Sequence, residues 1–395
     1  MDARPRNYLI YVSSLGPGGA ERVAEVLASG MVRTGARVTL VTDTAETERS
    51  EFVSEEIVRV SLGEGKIGSI LRLAQILRRD TPDVVLAVSA SANLKLVLAG
   101  ILSGNRVPLL LSYHGRSEIT RGVLGHLAYR LAPWLARRAA LTIAVSQNLA
   151  RHLTNDWGAA PDRVAVIYNP VATGPLQPAR TEAEILAREP IVLAVGRLVP
   201  EKDFATAITA IAQLDRPDIR LVILGEGPER PALLALAERL GVADRVELPG
   251  YDSPWKWYEK ARCSVLTSRS EAFGNVVVEA LAAGLPVVVT RCGGPEEIVD
   301  DPRYGTLIPT GDATALATAI AAFVDRPGDP GPRIARALDF RPDVIVDHYR
   351  ALFEEIAGDA DSGSRTGDAG SGRLNGAHGV RSRRVIEKPK QASTT

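Results

Sequence analysis

Along the first 170 residues, short apolar and β-branched runs at 8–12, 38–42, 84–88, 109–113, 141–145 and 164–167 alternate with longer stretches of helical period at 20–34, 67–79 and 124–138. That alternation predicts βαβ units, because parallel strands need a crossover of a dozen or more residues and a helix is the usual one. The stretch 84–102 reads as a strand, a loop and a helix. The first unit closes near Asn169-Pro170, and Pro170, Gly174, Pro175 and Pro178 mark a connector. The pattern then restarts with strands at 191–195, 220–224, 246–248, 263–266 and 286–289, interleaved with helical stretches at 204–214, 230–240, 255–260 and 276–283. Final helices are predicted at 313–324 and 343–356. From Gly358 onward Gly, Ser, Asp and Arg dominate and the apolar period is lost, which predicts a disordered tail with a basic stretch at Arg381-Ser382-Arg383-Arg384.

The expected architecture is α/β: two Rossmann-like domains whose strand C-terminal ends face a central cleft. The first domain spans 1–172, a connector 173–189 and the second domain 190–340. A C-terminal helix at 341–357 packs back toward the first domain, and the tail is 358–395. At 395 residues, a single core is unlikely on size alone. The 45% hydrophobic and 24% charged fractions match an ordinary globular protein. Forty-seven basic and 47 acidic side chains cancel, which excludes a general nucleic-acid binder. Cys263 and Cys292 are too few for a disulfide framework or a four-ligand zinc site, so the chain is read as cytoplasmic. The run 8–15 ends in Gly16-Pro17-Gly18-Gly19 without a cleavage pattern, and Ser89, Ser91, Asn93 and Lys95 interrupt 84–102, so neither export nor a membrane span is predicted.

Candidate chemistry concentrates at Ser270-Glu271-Ala272-Phe273-Gly274-Asn275, which runs into a helix expected from Val276, capped by Asn275 and ended by Gly284. Backbone N–H groups at Phe273, Gly274 and Asn275 with the helix dipole form an anion site, and Glu271 and Glu279 flank it as acceptors for hydroxyls. Such an arrangement suits a sugar attached to a phosphate. Upstream, Val195-Gly196-Arg197 ends a strand and Lys202 precedes a helix capped by Asp203. A diphosphate needs about two positive charges in place of a metal, and Arg197 and Lys202 supply them. No Asp-x-Asp cluster stands at a strand end, so no metal is expected. Gly225-Glu226-Gly227 and Gly250-Tyr251 form two further strand-end loops, and the former lacks the third Gly of a dinucleotide fingerprint.

Together these segments resemble the family 4 retaining glycosyltransferases of GT-B fold. Glu271 and Glu279 form the E-x7-E motif, Val195-Gly196-Arg197-Leu198 with Lys202 the phosphate-binding stretch, and Gly18-Gly19-Ala20-Glu21-Arg22 the N-terminal Gly loop; Ser146-Gln147 and Asn169-Pro170 also stand at the usual places. The resemblance covers about residues 7 to 357 and departs at Ala272, where the family commonly has Gly. It implies that Arg197 and Lys202 hold the donor diphosphate, Glu279 the ribose hydroxyls and Glu271 the sugar hydroxyls. Gly18, Gly19, Gly196, Glu226, Tyr251, Phe273 and Gly274 line the donor, and His114 approaches the transferring sugar. The implied reaction is retaining, metal-independent transfer from a nucleotide sugar, UDP-sugar first, to a glycan or lipid-linked acceptor in polysaccharide or glycoconjugate synthesis, with no cofactor. A nucleotide-sugar epimerase of the same fold and a non-catalytic nucleotide-sugar-binding protein are the alternatives. A basic segment, with Arg116, Arg121, Arg130, Arg137 and Arg138 opposed by Glu118 and interleaved with Leu124, Leu127, Leu131, Trp134 and Leu135, adds an expectation of peripheral contact with the inner face of a membrane.

Overall fold

A computed structural model describes residues 4–13, 19–44, 54–63, 65–115, 123–174 and 177–365, with side chains as far as 359. The chain divides into two compact units: the part up to Pro170 together with the segment from Pro342 on, and Val171–Arg341.

The first unit holds β1 (Asn7–Val12), β2 (Arg37–Thr42), β3 (Val58–Ser61), β4 (Val84–Val88), β5 (Leu109–Tyr113), β6 (Leu141–Ala144) and β7 (Val164–Val166) in the order β3-β2-β1-β4-β5-β6-β7. All of their pairings are parallel, with Tyr8 in register with Val38 on one side and Val84 on the other. Alternate residues of β1, Tyr8, Ile10 and Val12, share a core with Val23, Leu27 and Met31 of the helix Gly19–Arg33 and with Tyr349 and Phe353 of the C-terminal helix Pro342–Arg365. The two helices pack closely at Gly30, where a Cβ would stand 2.4 Å from Val346 Cγ2.

The second unit repeats the plan with β8 (Ile191–Val195), β9 (Arg220–Leu224), β10 (Val246–Gly250), β11 (Cys263–Leu266), β12 (Val287–Thr290) and β13 (Gly305–Ile308) in the order β10-β9-β8-β11-β12-β13, again all parallel. Its core joins Val192, Ala194, Leu221 and Ile223 to Ile208 and Ile211 on one helix and Leu316 and Ile320 on another. Both orders are that of a doubly wound fold, in which the chain reverses direction at β1/β4 and β8/β11 and ligands bind at the carboxyl ends there.

The hydrophobic pattern misses the edge strands β3 and β13, which are short and partly exposed and carry no apolar run. The expected single helix at 124–138 is two, Val123–Arg130 and Ala132–Arg138, because Pro133 lacks the N–H that would continue the first. The C-terminal helix passes the expected tail boundary at Gly358 and ends at Arg365, since extending an existing helix adds one hydrogen bond per residue fixed. Among the described residues no helix is long and apolar enough to cross a membrane.

Candidate active site

At the end of β8 the chain turns through Gly196-Arg197-Leu198 and lies directly on the loop that follows β9. Gly196 N–H donates to Leu224 C=O at 2.9 Å, Leu198 N–H to Glu226 C=O at 2.9 Å, and Glu229 N–H to Leu198 C=O at 3.0 Å. Contact is so close that a Cβ at Gly225, whose φ is +137°, would fall 2.0 Å from Gly196 O, and one at Gly227 2.3 Å from Leu198 O. These glycines thus serve backbone packing between two strand-end loops. Glu226 pairs with Arg230 at 3.2 Å, and Tyr251 stands 65% exposed beyond β10. Arg197 is exposed, its carbonyl accepts from Val199 N–H at 2.9 Å, and its guanidinium has no hydrogen-bond or ion-pair partner among the described residues.

Lys202 ends the single turn Pro200–Lys202, and its ammonium donates to the Glu271 carboxylate. The same Glu271 oxygen accepts from the Ser268 hydroxyl at 3.0 Å. Backbone links hold this pair in place: Thr267 Oγ1 donates to Lys202 C=O at 2.8 Å, and Arg269 N–H to Glu201 C=O at 2.9 Å. Glu271 itself bridges in parallel to Gly293, its N–H donating to Cys292 C=O at 2.9 Å, so it is fixed like a strand residue. Both side chains keep some exposure, 22% for Lys202 and 14% for Glu271, which leaves the pair accessible to a ligand. Asp203 occupies the cap position of the helix Phe204–Gln213 at φ +49°, but its carboxylate takes the Thr206 hydroxyl at 3.0 Å and approaches Arg269 at 3.3 Å instead of capping a backbone N–H.

The next helix, Asn275–Ala282, corrects the expected cap: Asn275 is its first residue and Gly274, at φ +101°, is the cap. No side chain caps this end, and no acceptor among the described residues takes the Gly274 N–H. Phe273 is buried and set edge-on to Phe340 at 5.4 Å, so its ring anchors the loop. A Cβ at Gly294 would meet Ala272 O at 2.1 Å, a second close approach that shapes the same loop. Glu279, only 5% exposed, accepts from the Tyr258 hydroxyl at 3.1 Å. The two motif carboxylates therefore differ: one meets an ammonium at the surface, the other a phenol in the interior. The sequence reading missed Ser268 and Tyr258; the hydroxyl-rich run Thr267-Ser268-Arg269-Ser270 at the end of β11 was a signal for the former, and nothing marked the latter.

In the first unit, Gly19 begins its helix and is exposed, while Gly18 lies outside the described residues, as do Arg116, Glu118 and Arg121. Among the described residues, the side chains at the ends of β4 and β5 are hydroxyls and an imidazole, while beside the end of β1 the buried Asp43, whose N–H donates to Ser13 C=O at 3.1 Å, takes the Tyr11 hydroxyl at 2.8 Å and pairs with Lys95 at 2.7 Å. Ser13 and Ser91 hydroxyls lie 3.1 Å apart, and Ser112 Oγ lies 2.8 Å from His114 Nε2. Ser89 holds φ +109°, a strained value for a residue with a Cβ, and its N–H donates to Ser112 C=O at 3.1 Å. Burial pushes His114 down to about 4 against a smaller opposing pull from Asn169, so its imidazole is uncharged at neutral pH. Ser146 is a helix cap, accepting from Leu149 N–H at 3.0 Å. Burial pushes both cysteine thiols up to about 12, which makes them inert. Among the described residues no group of three His, Cys, Asp or Glu is placed to hold a metal ion.

Two doubly wound units, one carrying cations and carboxylates at its switch point, form the architecture in which open α/β sheets bind ligands at the carboxyl ends of their strands. The family model described as Glycosyltransferase Family 4 matches residues 17–174, and that described as Glycosyl transferases group 1 matches 178–337. The lipopolysaccharide core biosynthesis glycosyltransferase LpsE of Rhizobium meliloti (strain 1021) is 30% identical over 78% of this chain and 86% of its own. An N-acetylgalactosamine-N,N'-diacetylbacillosaminyl-diphospho-undecaprenol 4-alpha-N-acetylgalactosaminyltransferase of Campylobacter jejuni is 26% identical over 80% of this chain and 89% of its own. Anabaena Alr3699/HepE, solved in complex with UDP-glucose, superposes with a TM-score of 0.69 at 22% identity, covering 90% of this chain and 100% of that one. The chain belongs to the family 4, group 1 glycosyltransferases and has the GT-B fold. It is a glycosyltransferase, and the epimerase and non-catalytic readings are not favoured.

Proposed function

We propose that the protein transfers a sugar with retention of anomeric configuration from a UDP-sugar to a glycan or lipid-linked acceptor in cell-surface polysaccharide or glycoconjugate synthesis. The carrying observation is the Lys202–Glu271 pair with Ser268 at the β8/β11 switch point, eight residues before the buried Glu279. In this reading residues 190–340 handle the donor and 1–172 the acceptor. Arg197, Lys202 and the N–H groups of Phe273 and Gly274 hold the diphosphate and sugar, Glu271 the sugar hydroxyls and Glu279 the ribose, with Gly18, Gly19, Gly196, Glu226 and Tyr251 lining the donor. His114, neutral, donates or accepts a hydrogen bond at the transferring sugar. The bond from the anomeric carbon to the phosphate oxygen breaks, and the acceptor oxygen bonds that carbon on the same face. The acceptor proton passes to the departing phosphate oxygen. Negative charge grows on the diphosphate during this step, and fixed cations stabilise it in the role a metal would otherwise take.

UDP is favoured as nucleotide by the Anabaena structure, and a lipid-linked acceptor by the name of the Campylobacter relative. Val123 and Leu127, exposed beside Arg130, support a peripheral contact with the inner membrane face from the cytoplasm. The test is a panel of UDP-, GDP- and ADP-sugars scored by saturation-transfer NMR, followed by the anomeric proton of the product and by turnover in chelator. Selective UDP-sugar binding, a retained anomer and undiminished turnover are expected. An inverted product, or activity lost to chelator and restored by manganese, would overturn the mechanism.

A further inference from the structure

The first unit carries a cavity of about 710 Å³ at the amino ends of β5 and β6, the sheet edge opposite His114. Leu109 lines it, and four strand steps of about 3.3 Å separate Leu109 from Tyr113, putting roughly 13 Å between this cavity and the strand ends that carry Ser112 and His114. One wall is the end of the helix Ala90–Ser103, with Gly100 and Ile101. Another is the C-terminal helix, which contributes Leu352, Glu355, Ile356 and Asp359 at a spacing of 0, 3, 4 and 7, a single helical face.

Three arginines share the lining: Arg106, Arg138 and Arg163. Among the described residues none has an acidic partner. Arg106 has no bond among the described residues, Arg138 lies over the Trp134 ring at 5.2 Å, and Arg163 reaches only Ala139 C=O at 3.4 Å. The carbonyl end of the helix Ala90–Ser103, which would repel an anion, is already covered by Arg78, whose Nε donates to Ser103 O at 2.7 Å. Against the three cations stand only Glu355 and Asp359, and the apolar part of the lining is aliphatic, with no aromatic ring on which a nucleotide base could stack. The cavity is of a size that encloses small ligands.

We propose that this cavity is a second, non-catalytic site for a phosphate monoester carrying an aliphatic chain. Its phosphate is held by Arg106, Arg138 and Arg163, and its chain lies against Ile101, Leu352 and Ile356. Guanidinium groups suit phosphate because their donors match its oxygens in pairs, and the branched aliphatic wall suits an alkyl or prenyl chain.

The test uses the full chain with UDP present in excess, so that the candidate active site is filled. Hexyl phosphate and inorganic phosphate are titrated calorimetrically, and amide exchange locates the bound probe. Hexyl phosphate should bind saturably, at least about tenfold tighter than inorganic phosphate, and protect residues 100–109 and 352–359. The variant Arg106→Gln, at an exposed position outside the basic segment 116–138, should lose at least about tenfold in hexyl phosphate affinity while its circular dichroism and turnover stay as in the wild type. Co-sedimentation with vesicles containing phosphatidic acid, lost in the same variant, would identify a lipid headgroup as the source. Hexyl phosphate binding without co-sedimentation would identify a soluble ligand, and either result supports the site. Equal affinity in wild type and variant, no saturable binding, or protection confined to other segments would overturn it.

Discussion

The two units share one topology and differ in what stands at their strand ends. At β8 and β11 the second unit presents an exposed arginine, a lysine bonded to a carboxylate, and a second, buried carboxylate bonded to a phenol. Among the described residues, the first presents at β1, β4 and β5 serine hydroxyls and an imidazole that burial keeps uncharged, and the Asp43–Lys95 pair beside β1 is buried and bonded to Tyr11. A doubly wound sheet supplies the place where ligands sit but no chemistry of its own, so strand-end loops decide which substrate group each unit can meet. In the proposed reading, the exposed charges of the second unit meet the diphosphate and its hydroxyls, and the uncharged groups of the first meet a hydroxyl-bearing partner.

The largest effect that sharpens this contrast is expected at Lys202. Lys202→Ala should lower kcat by about a hundred to a thousandfold, the usual result of removing one preorganised charged donor, and Arg197→Ala should act the same way. Glu271→Ala should harm both kcat and donor KM, and the double variant with Lys202→Ala should be less than additive because the two side chains share a bond. Steady-state kinetics with the UDP-sugar chosen by the binding panel checks both, and an unchanged kcat in Lys202→Ala would break the comparison. Next comes Gly225→Ala, which forces a Cβ against Gly196 O at a positive φ and should cost about 2 to 3 kcal/mol, read as an earlier urea midpoint for the second unit. Glu279→Ala should raise donor KM about tenfold with a smaller change in kcat, since a ribose contact acts on binding more than on the reacting centre. Tyr258→Phe, which removes only the donor to Glu279, should cost about 1 kcal/mol of donor affinity.

The smallest effect tests the first unit's edge at His114. The His114 imidazole should titrate by NMR near 4, well below an ordinary histidine. Its folded value is depressed, so the unfolded chain binds the proton first as pH falls. The stability it contributes is complete above about pH 6.5 and is lost progressively between 6.5 and 4, so the urea midpoint should fall over that window. A His114 titration near 6.5 would show that this edge is open and able to carry charge.

Much of this was legible in the chain. Strand runs such as 191–195 and 221–224 are apolar throughout because a parallel strand is buried on both faces, and that pattern is local. The positions of Arg197, Lys202 and Glu271 on strand-end loops and of Glu279 in the helix that follows were legible because short motifs carry them. β3 and β13 were not, since an edge strand gains its conformation from a neighbour's hydrogen bonds and needs little apolar surface of its own. Glu226 and Tyr251 were legible as loop residues, whereas the Gly225-Glu226-Gly227 loop's contact with Gly196 was not.

By itself the sequence determined the α/β alternation, the restart of the pattern after residue 170 and the identities of the charged residues, because each depends on neighbours within a few turns of chain. Tertiary structure alone decided their partners. Lys202 meets Glu271 across 69 residues of sequence, and Tyr258 meets Glu279 from a separate helix. Arg333, in the helix Gly331–Leu338 that the hydrophobic pattern did not predict, is 2% exposed and donates to the carbonyls of Gly284 and Pro327. Burial lowers its guanidinium to about 10. A buried polar group must find its hydrogen bonds wherever the fold brings acceptors to it, and those acceptors lie far away in the chain.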